Sequence, residues 1–230
     1  MPPLIVSEKT LELNICAEIL GFIRSLPQCK KAFWIGMKQD QEAKNGIDEL
    51  ISNVPNGMHL ALQFKAPLSR PPNQIPYRYT INDKQNSNLL RLARNRPNAV
   101  YYIFPHYNTF SQMRSNSPNL LSDTYLLRIY DLQNLSPSVN SLGTHKVITA
   151  PPIATIRSEP IEVKLSNAST ALRDVLDKEW STFEENLISH EYLKEWLYHL
   201  IHEDSNANVA KENKRVIGQR LRGFSTFCIS

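Results

Sequence analysis

Apolar residues fall at positions 11, 15, 19, 22, 23 and 26 of the first segment, EKTLELNICAEILGFIRSL. This is the spacing of one face of an amphipathic helix, with Ser7 placed to cap its start and Pro27 to end it. The pattern then changes period. KAFWIGM (31–37), GIDELISNV (46–54) and MHLALQFK (58–65) are strand-like runs, the last two joined by VPNG, whose Asn-Gly marks a turn. Along MHLALQFK, alternation sends Met58, Leu60, Leu62 and Phe64 to one face and His59, Ala61, Gln63 and Lys65 to the other.

The segment from Ala66 to Pro76 carries four prolines (Pro67, Pro71, Pro72, Pro76) and is expected to run over the surface without ladder pairing. YRYTIN reads as a short edge strand and KQNSNLLRLARNR as a helix stopped before Pro97. AVYYIFP (99–105) is a short, mostly apolar strand of the kind buried beside a parallel neighbour. Beyond residue 105 the pattern weakens. TYLLRIYDL fits strand or helix, and THKVITA and IEVKL read as short strands in a Ser/Pro-rich setting. From Ser169 the apolar positions recur at helical spacing. Two parts follow: an α/β domain over 1–165 and a helical C-terminal extension over 166–230.

Bulk properties narrow the class. At 230 residues, 41% hydrophobic and 21% charged, the chain is long and apolar enough to bury a core. No apolar run approaches the ~18 residues that span a bilayer, and the N-terminus lacks the basic and apolar regions of a secretion signal. Cys16, Cys29 and Cys228 are scattered, with no paired spacing for a zinc site or a disulfide framework. A cytoplasmic protein with no membrane partner is expected.

The formal net charge is +4, and residues 206–230 hold an equal excess: Lys211, Lys214, Arg215, Arg220 and Arg222 against Glu212. Such a tail suits a polyanion, and equally a solvated helix end that balances acids such as Glu184, Glu185 and Glu191. Arg70, Arg78, Arg91 and Arg94, interleaved with tyrosines 77, 79, 101, 102 and 107, are candidates for contacts to a nucleic-acid backbone or base; core packing is the competing reading of the tyrosines.

Several chemistries find no support. Seven glycines leave no GxGxxG or Walker pattern. His199 and His202 do not form an HExxH motif, and Ser158 has no GxSxG context.

What remains is Gly46-Ile47-Asp48 on one strand and Gln63-Phe64-Lys65 on the next. In the order helix, three strands, helix, strand, these residues resemble the PD-(D/E)xK nuclease superfamily, and more closely its Mrr-type restriction endonucleases, where glutamine stands in the position more often held by glutamate. The resemblance covers residues 8 to 105. It implies a restriction-endonuclease-like core (α-β-β-β-α-β, mixed sheet) and Mg²⁺- or Mn²⁺-dependent hydrolysis of DNA, in restriction, phage defence or mobile-element biology. Asp48 would be the principal metal ligand and Gln63 a neutral one. A second carboxylate is wanted, from Glu42 or from Glu18 on the first helix, because Mg²⁺ prefers hard oxygen donors. Lys65 would orient the attacking water and stabilise negative charge. Each residue also has an ordinary reading: Asp48 in a turn, Gln63 and Lys65 as a solvent-facing pair, Glu42 in a polar loop, Glu18 on the wet side of its helix. Double-stranded DNA is the expected partner, with a homodimer or a partner-dependent complex for double-strand cleavage. A nuclease fold without catalysis, acting in nucleic-acid binding or protein assembly, is the alternative.

Overall fold

In the computed structural model the described residues are 6–36, 49–54, 58–68, 76–94, 96–138, 140, 142–159, 161–176 and 187–203. The chain divides into two compact units, Met1–Ile188 and Ser189–Ser230. The first unit is mixed α/β with two sheets. The boundary inferred after residue 165 passes inside it.

Helix α1 (Glu8–Ser25) begins where the capping signal puts it: Ser7 is extended and its hydroxyl accepts from the Thr10 amide at 3.1 Å. It ends before Leu26 and a 3-10 turn at Pro27–Cys29. Strands β1 (Phe33–Gly36), β2 (Glu49–Val54) and β3 (Met58–Phe64) follow as an antiparallel meander. Strand β5 (Val100–Pro105) lies parallel to β3, with Gln63 opposite Tyr102, as its continuous burial suggests. Beyond β5 the sheet extends through β6 (Thr124–Arg128) and β10 (Ser166–Asn167), giving six strands in the order β1-β2-β3-β5-β6-β10. TYLLRIYDL proves to be both strand and helix: β6 runs into a 3-10 turn at Ile129–Leu132.

The edge strand read from YRYTIN is β4 (Tyr77–Asn82), and its edge belongs to a second sheet, β4-β7-β8-β9. The partners are β7 (Thr144–Ala150), β8 (Ile153–Ile156) and β9 (Ile161–Lys164). THKVITA and IEVKL are therefore strands. β8 between them has only four residues, too few for a periodic signal.

Helix α2 (Asp83–Ala93) follows β4, with the Asn82 side chain accepting from the Gln85 amide. Helix α3 (Phe110–Asn116) carries a capping box built from Thr109 and Gln112, and α4 (Ala168–Leu176) follows β10. Helix α5 (His190–Glu203) is the described element of the second unit.

The alternation in β3 sets the layers. Leu60, Leu62 and Phe64 join Leu11, Ile15, Ile19 and Ile23 of α1, Ala171, Leu172 and Val175 of α4, and Tyr101 and Ile103 of β5 in the main core. The opposite face of β3 and β5, with Gln63 and Tyr102, meets α2: the Tyr102 hydroxyl bonds Asn86 at 3.4 Å. The second sheet meets the same face through Tyr79, whose ring lies 4.6 Å from that of Phe104.

Candidate functional site

Gln63 and Lys65 leave β3 on the face covered by α2. Gln63 is 2% exposed, and its amide nitrogen donates to the Phe64 carbonyl at 3.0 Å. It is thus a core amide, not the solvent-facing one that alternation alone allows. Lys65 is half-buried. Its ammonium donates to Gln85 Oε1 at 2.6 Å and sits 5.7 Å above the centre of the Tyr102 ring. An ammonium over a tyrosine face is favourable by about 0.5–2 kcal/mol, depending on desolvation. Gln63 and Tyr102 are register partners, so β3, β5 and the first turn of α2 bring Gln63, Lys65, Tyr102, Gln85 and Asn86 into one polar cluster.

Glu18 stands elsewhere. It is on α1, which packs on the Leu62 face of the sheet, and its Oε2 accepts from the Leu121 amide at 3.2 Å. The carboxylate satisfies the 3-10 turn at Leu120–Asp123, one of the backbone groups a buried turn must pair. The structure does not bring it to Gln63 and Lys65. Asp48 and Glu42 lie outside the described residues, as do Arg70, Lys211, Lys214, Arg215, Arg220 and Arg222. Among the described residues no three His, Cys, Asp or Glu side chains are grouped to hold a metal ion.

The remaining arginines occupy different elements. Arg91 and Arg94 are exposed, in the last turn of α2 and just after it, whereas Arg78 is half-buried on β4. Of the tyrosines, Tyr101 and Tyr107 join the α1-side core. Tyr79 is fully buried and donates to the Pro105 carbonyl at 2.6 Å. Burial pushes the hydroxyls of Tyr79, Tyr101 and Tyr107 above the ordinary phenol range, Tyr79 strongly. These rings are packing residues rather than a stacking platform, so the competing reading holds for them.

Sequence reasoning missed Gln85 and Asn86, which the start of α2 delivers to Lys65 and Tyr102. The signal was present in the cap: Asn82 before a helical run places the next three or four residues on its first turn. A second cluster was also missed. His106 stacks on Tyr77 at 4.4 Å, lies 4.7 Å from the Tyr125 ring and bonds Thr149 Oγ1 through Nε2 at 2.9 Å. Desolvation lowers its pKa to about 4, so the ring is neutral at neutral pH.

Among the described residues no helix is long and apolar enough to cross a membrane. No protein-family model, no curated protein and no solved structure matches the chain.

Proposed function

We propose that this chain is a Mg²⁺-dependent nuclease acting on double-stranded DNA, built on a restriction-endonuclease-like core and serving restriction, phage defence or mobile-element biology. The observation that carries the reading is the placement of Gln63 and Lys65 on one face of β3, between antiparallel β2 and parallel β5. The order α1, β1, β2, β3, α2, β5 supports it, with β4 leaving this series for the second sheet. Glu49 pairs with Leu62. Asp48 is the residue before Glu49 in sequence, and Gln63 the residue after Leu62.

The described donors alone do not make a cation site. Gln63 offers a neutral oxygen, Glu18 is engaged on the far face, and Lys65 ligates nothing. A divalent ion would need Asp48 and Glu42, which with Gln63 make a hard-oxygen set suited to Mg²⁺. When bound, the ion supplies charge neutralisation at phosphate and a more acidic water. The protein's own part falls to Lys65. Its ammonium is fixed by Gln85, so it can orient a water by hydrogen bonding and stabilise charge developing on the phosphoryl oxygens without reorganising.

The reading is tested by incubating supercoiled plasmid with the protein and Mg²⁺ or Mn²⁺, beside an EDTA control and Lys65→Met. Metal-dependent nicking that disappears in the variant supports it. A second reading, a nuclease fold without catalysis, is favoured by the burial of Gln63 and its bond to the Phe64 carbonyl. DNA binding without nicking under any metal would support that one and sink the first.

A further inference from the structure

Three side chains distant from β3 in sequence meet where the second sheet adjoins the start of α2. His145, on β7, is 1% exposed. Its Nδ1 is hydrogen-bonded to Ser158 Oγ in the turn between β8 and β9. Its Nε2 lies 2.6 Å from Oδ1 of Asp83, the first residue of α2. Nε2 is not aligned for a directed N–H bond, so this contact is one of proximity. Asp83 is itself held fast. Its Oδ2 accepts from the Ser138 amide at 2.8 Å, and its own amide donates to the Gly143 carbonyl at 2.8 Å. Gly143 has φ +56°, and a Cβ there would stand 3.5 Å from Asp83 Oδ2. Glycine permits this left-handed backbone at position 143 beside the carboxylate. Ser158, by contrast, is exposed.

We propose that Ser158, His145 and Asp83 form a reactive centre separate from the β3 site, in which Ser158 is a nucleophile toward small acyl esters. The roles follow from position. Asp83 favours the tautomer with its proton on Nε2, which leaves the Nδ1 lone pair to receive the Ser158 proton. The two ring nitrogens are exchanged relative to the usual serine hydrolase arrangement, but either nitrogen of a neutral imidazole serves as a base. Misalignment of Nε2 is no obstacle, since such bonds commonly tighten only around substrate. Ser158 Oγ attacks the ester carbonyl carbon as its proton passes to His145 Nδ1. The bond from that carbon to the alcohol oxygen then breaks, and the departing oxygen takes the proton from His145. Water attacks the acyl-serine in turn, passing a proton to Nδ1. The Ser158 oxygen recovers that proton as the carboxylic acid leaves. Arg157 precedes Ser158, and its amide donates to the Lys146 carbonyl at 3.0 Å, which ties the serine turn to the residue after His145.

The test is labelling of the full chain with a biotinylated fluorophosphonate, followed by peptide mapping, and hydrolysis of 4-nitrophenyl acetate. The expected result is an adduct on Ser158 in the native protein that is absent after urea unfolding. The adduct and the esterase activity should be lost in Ser158→Ala, with a melt confirming that the variant stays folded despite losing the hydroxyl bonded to buried His145. Labelling should slow at least about tenfold in Asp83→Asn, which keeps the shape of the carboxylate and removes its charge. Overturning results are no adduct, an adduct at another residue, equal labelling of native and unfolded chains, or an unchanged rate in a folded Asp83→Asn. Metal-dependent plasmid nicking, where the wild type shows it, should be unchanged in Ser158→Ala, and an esterase result stands whether or not the wild type nicks.

Discussion

Lys65 Nζ donates to Gln85 Oε1 at 2.6 Å, tying the ammonium at the end of β3 to the first turn of α2. The same turn is capped by Asn82, presents Asp83 to His145 and sends Asn86 to Tyr102. A helix start is a good place for such work, because its first amides are unpaired within the helix and its side chains are aimed by the cap. The first turn of α2 is thus a hinge of chemistry for both candidate sites.

Replacing Lys65 by methionine keeps the aliphatic stem and removes the charge. Plasmid nicking is expected to fall by about two orders of magnitude or more, the scale of losing one preorganised group that stabilises transition-state charge. Stability should fall by about 1–3 kcal/mol, the combined worth of one hydrogen bond and a partly exposed cation–π contact. A melt shifted far beyond that, or nicking left intact, would make Lys65 a structural residue.

Leu62 alternates with Gln63 and has no exposed surface. Leu62→Ala removes a side chain held between α1 and the sheet and should cost about 2–5 kcal/mol of unfolding free energy. Urea titration followed by tryptophan fluorescence measures it. A cost under about 1 kcal/mol would mean the α1 side of β3 is loosely packed and the assignment of faces is mistaken.

Among the described residues up to 105, α1, the strands and α2 were legible because each carries its own local signal; residues 46–48, the Asn-Gly turn and most of the proline-rich segment lie outside the described residues. Ser7 and Pro27 bracket a helical period, and alternation in β3 is clean because one face meets α1 and the other meets α2. Gln63 could be sent to the correct face by period two, but its burial could not be inferred. Burial depends on α2 and β5, which arrive from residues 83–105. The second sheet was illegible as a sheet for a similar reason. β4, β7, β8 and β9 are four to seven residues each, and their pairing spans residues 77 to 164. Nothing local joins Tyr77 to Thr149 or His145 to Asp83; only the ladder does. Glu18 kept two readings in the sequence because an acid on the half-wet flank of a helix looks the same whether it faces a metal or the Leu121 amide.

His106 supplies a pH dependence whose sign can be worked out. Its pKa is about 4 in the folded protein and about 6.5 when unfolded, so between these values the unfolded chain binds a proton that the folded one refuses. Stability is therefore intact above pH 6.5 and is lost as pH falls toward 4. The loss approaches roughly 3 kcal/mol for this group, at about 1.4 kcal/mol per unit. Urea titrations at several pH values between 7 and 4, in wild type and His106→Gln, isolate the term. The variant should lose markedly less stability over that range, because glutamine does not titrate. Parallel curves for the two proteins would show that acid sensitivity comes from other groups.

Gln63→Glu separates a metal site from a buried structural amide. In wild type the side chain is neutral and its nitrogen donates to the Phe64 carbonyl, so burial costs little beyond satisfying its polar atoms. Glutamate at the same position cannot donate when ionised, and at 2% exposure its charge is poorly solvated. With EDTA present, the variant should melt lower than wild type, and acid should partly restore it by protonating the carboxyl group. If the site takes a divalent cation, millimolar Mg²⁺ or Mn²⁺ neutralises the new charge. The metal-induced rise in melting temperature should then be larger in Gln63→Glu than in wild type, because a metal that binds the native state stabilises it according to its affinity. Gln63→Ala serves as the control, losing the oxygen donor and gaining no charge, and its metal response should be smaller than that of wild type. Nicking is expected to persist or rise in the glutamate variant and to fall in the alanine one. A melting temperature that responds equally to metal in all three proteins would place the cation away from Gln63 and remove the residue from the proposed site.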